Sequence, residues 1–293
     1  MQALYRTEQS AHFLGTDMHI VINSSTPEVA VMHCNAAFQE SERIEQQYSR
    51  FIKGNQLAAL NQQVGKWVEV SDELYEFLSY GKKMFEATGG AFDLTVKTLL
   101  ESWGYDADYT LVENSDHVEK GVIELSPESN VKITAPVDLG GLGKGYALDR
   151  MVAQCQEYEH LCINAGGDLF ARGKDSGDKP WRILFEHPSD PTQAIGYVDI
   201  DDLFLAASSP SRRSWRNRHH LVNPLTQEPA NEMLSVYTQG KSGLEADAYA
   251  TAIFAIGYTK AKTKLEEFPV AAMIVSPTGE ISRSSKFQGE LFS

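Results

Sequence analysis

The chain has 293 residues and a formal net charge of −14, with 40 acidic residues against 26 basic ones. That acidity argues against non-specific binding to nucleic acid or to an anionic membrane surface. Hydrophobic residues make up 42% of the chain and the mean hydropathy is −0.32, as in a globular protein with enough apolar residues for a large core. No window approaches the roughly 20 apolar residues of a membrane span. We therefore expect neither a nucleic-acid partner nor membrane insertion.

The N-terminus and the cysteines indicate the compartment. Residues 1–10 contain neither an apolar signal core nor a lipoprotein-type start. The three cysteines, Cys34, Cys155 and Cys162, are scattered, odd in number and without the spacing of metal ligands. We therefore expect a cytoplasmic protein with reduced thiols.

The first half of the chain mixes predicted helices and strands. In order, the pattern predicts a turn and strand at 13–23, a helix begun by proline at 27–47 and a short segment at 55–61. A strand at 67–70, a helix ended by two glycines at 71–90 and a turn with one acid at 91–96 follow. Residues 104–130 are predicted to be a variable connection with a single strand, Val122–Leu125.

The second half is predicted to be mostly strand. Strands are expected at 161–164, 181–186, 195–200, 204–207, 233–238 and 271–276, with one alanine-rich helix over 244–257. Because strands and helices do not alternate strictly, the pattern favours an α+β fold over a doubly wound parallel sheet. We expect largely antiparallel sheets flanked by helices.

The most informative stretch is Asp138–Asp149, which has glycines at 140, 141, 143 and 145 around a single lysine, Lys144. It fails the dinucleotide fingerprint because Tyr146 stands where a glycine is needed. It fails the P-loop pattern because Gly145 replaces the required Ser or Thr. We predict a glycine loop that leads into a helix after Gly145 and forms an anion site at the helix N-terminus. The alternative is a tight turn that packs a helix on a strand, with Lys144 in solvent.

A second candidate site lies on the predicted last helix. Asp247 and Thr251 are four residues apart, so their side chains project from one face. Carboxylate and hydroxyl oxygens, together with backbone carbonyls, are the kind of ligand that Mg²⁺ takes. In the alternative interpretation Asp247 complements the helix dipole and Thr251 is a buried helical threonine. The pair alone does not decide between them.

Arg212–His220 is the one basic run in this acidic chain. Such runs are usually solvated faces, but at this net charge a local anion site is favoured over contact with nucleic acid. His219 and His220 directly precede a turn that contains proline. They are candidates for a general base near neutral pH, and the alternative is a structural role.

Taken together, these segments resemble the ApbE family of FAD:protein FMN transferases. The resemblance runs from about residue 14 to residue 257, and the order of its motifs makes it specific. The motifs are Leu-Gly-Thr at 14–16, Thr-Gly-Gly-Ala-Phe-Asp at 88–93, Val-Asp-Leu-Gly-Gly-Leu-Gly-Lys-Gly-Tyr-Ala-Leu-Asp at 137–149, Ile-Asn-Ala-Gly-Gly-Asp at 163–168, His-Leu-Val-Asn-Pro-Leu-Thr at 220–226 and Leu-Glu-Ala-Asp-Ala-Tyr-Ala-Thr-Ala at 244–252. The resemblance implies an ApbE-like, T-fold-related architecture in which residues 1–293 form one transferase domain of two lobes, with the site between them.

The resemblance also implies a reaction. The family moves the FMN half of FAD onto a Thr or Ser hydroxyl of an acceptor protein, releases AMP and requires Mg²⁺. It implies that Asp247, Thr251 and the carbonyl of Gly141 hold the metal, and that His220 and Asp247 are the catalytic residues, with His220 activating the acceptor hydroxyl. The implied FAD-binding residues are Leu14, Phe51, Ala91, Phe92, Asp93, Asp138, Lys144 and Val222.

One segment departs from the family pattern. In Ser208–Trp215, Pro210 stands where the family usually has glycine, and the acid that normally follows is missing. Proline fixes φ and removes a hydrogen-bond donor, so this difference bears on the choice of acceptor or on transfer itself. Two alternative functions follow. One is a Mg²⁺-dependent FAD pyrophosphatase that gives FMN and AMP, and the other is a non-catalytic FAD-binding module.

Overall fold

The computed structural model describes residues 3–106, 110–112 and 118–292. Of the predicted variable connection 104–130, residues 107–109 and 113–117 lie outside the described residues. The helices are α1 (Pro27–Tyr48), α2 (Gln56–Asn61), α3 (Asp72–Ala87), α4 (Lys97–Ser102), α5 (Gly140–Gln154), α6 (Gly243–Ile256) and α7 (Tyr258–Lys264), with 3₁₀ turns at Leu94–Val96 and Pro210–Arg212. The strands are β1 (Tyr5–Phe13), β2 (Thr16–Ser24), β3 (Trp67–Glu69), β4 (Ile123–Ser126), β5 (Asn130–Ile133), β6 (Leu161–Ala165), β7 (Asp168–Arg172), β8 (Trp181–His187), β9 (Asp190–Ile200), β10 (Leu203–Ser208), β11 (Ser214–Trp215), β12 (Arg218–His219), β13 (Val222–Asn223), β14 (Glu228–Pro229), β15 (Ser235–Gly240), β16 (Ala271–Val275), β17 (Ile281–Arg283) and β18 (Glu290–Leu291).

Eight strands form the main sheet, in the order β1-β2-β6-β7-β10-β15-β16-β17. All of its pairings are antiparallel, so the predicted α+β class with antiparallel sheets is confirmed. The β6–β7 hairpin turns at Gly166 and Gly167, both with positive φ (70° and 105°), which glycine adopts without steric cost. This turn pairs Ala165 with Asp168 and places the Asp168 carboxylate at one end of the sheet.

Three long helices cover one face of the main sheet. Apolar residues of β2 pack against α1 and α5 in one core, and residues of β15 and β16 pack against α6 in the next. The buried thiols of Cys34 and Cys155 lie in the first core. Burial raises the pKa of Cys34 to about 11 and that of Cys155 to about 12, so neither is a reactive thiolate near neutral pH.

The opposite face is covered by a three-stranded sheet, in the order β18-β9-β8. Phe185 and Val198 of that sheet pack against Leu205, Tyr237 and Met273 of the main sheet. A further sheet, β3-β5-β4, packs with α2 and α3 beside the N-terminal half of α5. The second half of the chain is therefore mostly strand, as its pattern predicts. Among the described residues, no helix combines the length and the apolar character that crossing a membrane requires.

The glycine-rich stretch is helical, so the prediction of a loop up to Gly145 is wrong. Helix α5 begins at Gly140. A Cβ on Gly145 would lie 2.3 Å from the carbonyl oxygen of Gly243 on α6, and a Cβ on Gly243 would lie 2.5 Å from the carbonyl oxygen of Gly145. These two glycines allow α5 and α6 to pack at backbone contact. Periodicity along one helix does not reveal such a contact between two helices.

Candidate functional site

A single large cavity of about 1030 Å³ contains the sequence-predicted positions. It opens where the first turns of α5 and α6 meet the β6–β7 hairpin. The lining includes Leu14, Phe51, Ala91, Phe92, Asp93, Asp138, Gly141, Lys144, His220, Val222, Asp247 and Thr251. Residues far apart in sequence are therefore brought to one cavity.

The position of α6 against α5 is fixed by a carboxylate. Asp149 on α5 accepts hydrogen bonds from the backbone N–H groups of Gly243 (2.6 Å) and Leu244 (2.9 Å). The N-terminal N–H groups of a helix lack partners within it, so this carboxylate satisfies two of them and complements the helix dipole. Ser242 caps the same end by accepting from the N–H of Glu245. The helix that carries Asp247 is thereby held in register with the helix that carries Lys144.

Lys144 lies between two buried carboxylates. Its Nζ is 2.5 Å from Oδ2 of Asp168 and 3.2 Å from Oδ1 of Asp247. The two acids are only 1% and 2% exposed. Asp247 also accepts from the N–H of Gly145 at 3.0 Å, and Asp168 accepts from the N–H of Ala207 at 3.2 Å. The alternative of a solvated Lys144 is therefore wrong, because the side chain is an internal counter-ion.

The electrostatics of this cluster follow from its charge count. Burial and the neighbouring Asp247 raise the pKa of Asp168 to about 7, against the opposing effect of Lys144. Burial lowers the pKa of Lys144, but the two carboxylates outweigh it and keep the ammonium charged. With one lysine for two carboxylates, a further positive charge beside the cluster would favour the ionised form of Asp168.

The residues predicted to bind a metal adjoin one another across the two helices. A Cβ on Gly141 would lie 3.5 Å from Cγ2 of Thr251, which places the first turn of α5 against α6 one turn beyond Asp247. Both Gly141 and Thr251 line the cavity. Within the described residues, no three His, Cys, Asp or Glu side chains come together as a metal-binding group. The available oxygens are those of one carboxylate, one hydroxyl and one carbonyl.

Asp138 lies at the opposite wall, paired with Arg50. The Arg50 Nε is 3.3 Å from Oδ2 of Asp138, and its side chain is only 3% exposed. The guanidinium stacks on the rings of Phe51 and Tyr105, with centroid distances of 4.4 Å and 4.5 Å, and donates to the Tyr105 carbonyl at 2.8 Å. Its Nη2 has no hydrogen-bond partner among the described residues. This wall thus offers an aromatic surface and a guanidinium donor.

Two further residues predicted to contact FAD, Asp93 and Leu14, lie in turns that line the cavity. Asp93 accepts from the N–H and hydroxyl of Thr95, both at 2.8 Å, and so caps a 3₁₀ turn. Burial raises its pKa, against these two hydrogen bonds. Leu14 has φ of 54° in the β1–β2 turn, where its N–H donates to Glu45 at 2.8 Å. Asp93 thus has a structural role in addition to lining the cavity.

His220 is held as a neutral imidazole. Its Nδ1 is 3.3 Å from the carbonyl oxygen of Arg213, a contact that favours a proton on Nδ1 and leaves Nε2 as the acceptor. Burial and the Arg213 charge lower the pKa of His220 to about 3. The Arg213 guanidinium also donates to the carbonyl of Gly15 at 3.2 Å. His219, in contrast, contacts Asn231 at 3.1 Å. This contact agrees with a structural role for His219, the alternative to a general base.

Comparison with known proteins identifies the family. A model of the ApbE family matches residues 14–274. The chain belongs to the ApbE family. The FAD:protein FMN transferase of Treponema pallidum is 26% identical over 310 residues, covering 93% of this chain and 85% of its own. That of Klebsiella pneumoniae is 27% identical over 237 residues, covering 72% and 67%.

Solved structures of the family share the fold. The ApbE protein of Thermotoga maritima superposes with a TM-score of 0.88 at 27% identity, covering 97% of this chain and 98% of its own. The flavin transferase ApbE of Vibrio cholerae superposes with a TM-score of 0.84 over 97% of this chain and 98% of its own, at 21% identity. The expected ApbE-like architecture is therefore confirmed.

Two polar residues of this ApbE-family cavity were missed by sequence reasoning. Asp168 closes the predicted segment Ala165-Gly-Gly-Asp168, yet nothing local shows that its carboxylate reaches Lys144. Arg50 directly precedes Phe51 in the sequence, but its pairing with Asp138 spans 88 positions. For Asp168, the one signal in the sequence was an acid directly after two glycines.

The segment that departs from the ApbE pattern is tied to the cavity wall. Pro210 begins a 3₁₀ turn whose N-cap, Ser209, accepts from the N–H of Ser211. At the other end the Trp215 ring stacks on Tyr105 with centroids 5.1 Å apart, and its Nε1 donates to the Trp103 carbonyl at 3.1 Å. The altered sequence is thus built into an ordered loop between β10 and His220.

Proposed function

We propose that this chain transfers the FMN half of FAD to a Thr or Ser hydroxyl of an acceptor protein and releases AMP. One observation carries the proposal: a single cavity joins the Lys144–Asp168–Asp247 cluster to a neutral His220. The names of the Treponema and Klebsiella relatives support the same reaction. We propose residues 1–293 as one transferase domain, with the site between its lobes. The cytoplasmic setting stays a prediction.

We propose Asp247, Thr251 and the carbonyl of Gly141 as the ligands of Mg²⁺. Mg²⁺ is typically held by one or two carboxylates together with substrate phosphates. The carboxylate, hydroxyl and carbonyl oxygens of these residues, beside the second carboxylate of Asp168, match that preference. When bound, the ion supplies positive charge that offsets the charge of the pyrophosphate. Lys144 holds Asp247 in one orientation, because its ammonium and the N–H of Gly145 bind separate oxygens of the carboxylate.

The other lining residues are proposed to hold FAD. Phe51 and Val222 offer apolar surface, and Arg50 stiffens the wall beneath Phe51. Asp138 and Asp93 provide carboxylates for the polar edges of the dinucleotide. The same role is proposed for the rest of the predicted set, which comprises Leu14, Ala91, Phe92 and Lys144.

His220 is proposed as the general base. The acceptor hydroxyl attacks the phosphorus on the FMN side, the bond from that phosphorus to the oxygen of AMP breaks, and the hydroxyl proton passes to Nε2 of His220. AMP leaves with the bridging oxygen, so charge and atoms balance. A pKa of about 3 keeps the ring unprotonated, and the negative charge of bound phosphates would raise that pKa toward the range where a base is effective.

Incubation with FAD, Mg²⁺ and a lysate of the source cells tests the proposal. The expected result is a flavin-fluorescent acceptor band on a denaturing gel, with added FMN found by mass spectrometry on one Thr or Ser. If no acceptor is labelled, the transferase proposal is wrong. Chromatography of reactions without acceptor then distinguishes the pyrophosphatase, which the altered Ser208–Trp215 segment favours, from a non-catalytic FAD-binding module that releases no AMP.

A further inference from the structure

Strand β8 has one open edge. It is the outer strand of the β18-β9-β8 sheet, so one of its sides pairs with β9. The N–H of Phe292 donates to the carbonyl of Ile195, so the backbone groups of Ile195 and of every second residue beyond it point toward β18. The backbone groups of Gly196 and Val198 then point toward β8, where their partners are Phe185 and Ile183. Because the bonds alternate along an antiparallel strand, the residues between these partners direct their N–H and C=O groups to the open edge.

Those edge residues are Arg182 and Leu184, and the cavity reaches them. The lining includes the consecutive residues Arg182, Ile183 and Leu184. Successive side chains of a strand point to opposite faces, so a cavity that touches three in a row runs along the edge of the strand. No backbone hydrogen bond crosses that edge at these residues within the described part of the chain.

The far wall of this groove belongs to the main sheet. It includes Leu205, Ala207 and Tyr237. The Tyr237 hydroxyl donates to the Glu186 carbonyl at 2.6 Å and so ties that end of β8 to the main sheet. Ala207, which pairs directly with Tyr237, donates to Asp168, which binds Lys144. The groove is therefore continuous with the candidate site.

We propose that the acceptor protein binds here as an extended segment, added as a strand to the open edge of β8. The inference rests on the proposed function, since it assigns the second substrate of that reaction. The backbone of the segment pairs with Arg182 and Leu184, and one end carries the reacting hydroxyl to His220. This is β-strand addition, in which main-chain bonds supply affinity and alternate side chains supply specificity.

The surroundings define the chemistry of the segment. Leu184 is 58% exposed, an apolar side chain without cover beside an open edge. Arg182 is bound to Asp199 through two 2.7 Å contacts and stacks on Tyr197, so its charge is already matched. The segment is therefore expected to place an apolar side chain against Leu184, and to lack proline at the positions that pair with β8.

The test is a pair of substitutions at one position, Leu184→Pro and Leu184→Ala. Proline removes the edge N–H without removing a bond to β9, whereas alanine removes only the side chain. Loss of one such bond is expected to lower kcat/KM for flavinylation of the acceptor about tenfold, with the alanine variant within about threefold of wild type. FAD binding, followed by flavin fluorescence, is expected to be unchanged in both variants.

The possible results separate cleanly. Equal transfer by Leu184→Pro and wild type, or equal loss in both variants, would overturn strand addition. A dimer in wild type that dissociates in Leu184→Pro would assign the edge to a second copy and would also overturn it. If Leu184→Pro loses FAD binding, a proline scan of the acceptor around its modified residue decides with wild-type enzyme: alternating sensitivity supports strand addition and uniform sensitivity overturns it. Failure of the proposed function is distinct, because wild type then labels no acceptor.

Discussion

Replacing Gly145 with alanine tests whether close packing of α5 and α6 builds the site. The new Cβ would lie 2.3 Å from the carbonyl oxygen of Gly243, where ordinary contact begins at 3.4 Å. The helices must therefore separate by about 1 Å. Alanine gains about 1 kcal/mol over glycine in a helix interior, but overpacking typically costs about 1–3 kcal/mol. Since a backbone oxygen cannot swing aside, we expect a net loss of about 1 kcal/mol in unfolding free energy.

The same displacement should reduce activity. The contacts of Asp247 with Lys144 and with the N–H of Gly145, at 3.2 Å and 3.0 Å, cross this helix pair. A misplacement of about 1 Å in a catalytic group can cost on the order of 100-fold in rate. Urea unfolding and the initial rate of AMP release measure the two effects.

Gly143→Ala is the matched control in the same turn, because nothing lies within 4 Å of its Cβ. It should keep or raise the unfolding free energy, by up to about 1 kcal/mol. If Gly145→Ala were as stable and as active as wild type, the packing account of the glycines would be wrong.

Three further predictions concern charges. Asp247→Asn should lower Mg²⁺-dependent AMP release by at least about 100-fold while the protein stays folded, and a rate within tenfold of wild type would contradict its role. Arg213→Met removes a charge that lowers the pKa of His220, so the acid limb of the pH–rate profile should move to higher pH; an unmoved limb would exclude this coupling. Burial raises the pKa of Glu73, but hydrogen bonds, first from Arg43, outweigh it and lower the pKa to about 2. That stabilisation is complete above about pH 4.5 and is lost toward pH 2, at most about 3 kcal/mol. The unfolding free energy of Glu73→Gln should lack this dependence on pH, and the same pH dependence as in wild type would contradict the prediction.

Secondary structure was predictable where one segment carries its own signal. The strand predicted at residues 204–207 lies within Leu203–Ser208, and the helix predicted at 244–257 matches Gly243–Ile256 within one residue at each end. The strand predicted at 195–200 is in fact Asp190–Ile200, because pairing with β8 extends it through polar residues that show no alternation. Local pattern thus predicts the elements, and their partners decide where they end.

The candidate site was only partly predictable for the same reason. Its motifs could be found because the residues of each are contiguous. The role of Lys144 as a counter-ion depends on Asp168 and Asp247, which are 24 and 103 positions away. A sequence shows that a lysine lies among glycines, but it does not show that the glycines exist for a neighbouring helix. The prediction of a loop up to Gly145, where the structure has a helix from Gly140, was an error of that kind.

Stability and function are coupled at this helix pair, and the relative energies indicate how. Breaking a buried ion pair by removing one partner costs about 3–5 kcal/mol, more than the overpacking expected at Gly145. The new Cβ would also lie 2.7 Å from Cβ of Asp247, so in Gly145→Ala the displacement falls on Asp247 while its bond to Lys144 is kept. The carboxylate would then move relative to the other proposed metal oxygens, those of Thr251 and Gly141, to which no ion pair holds it. Activity should fall more steeply than stability at this position.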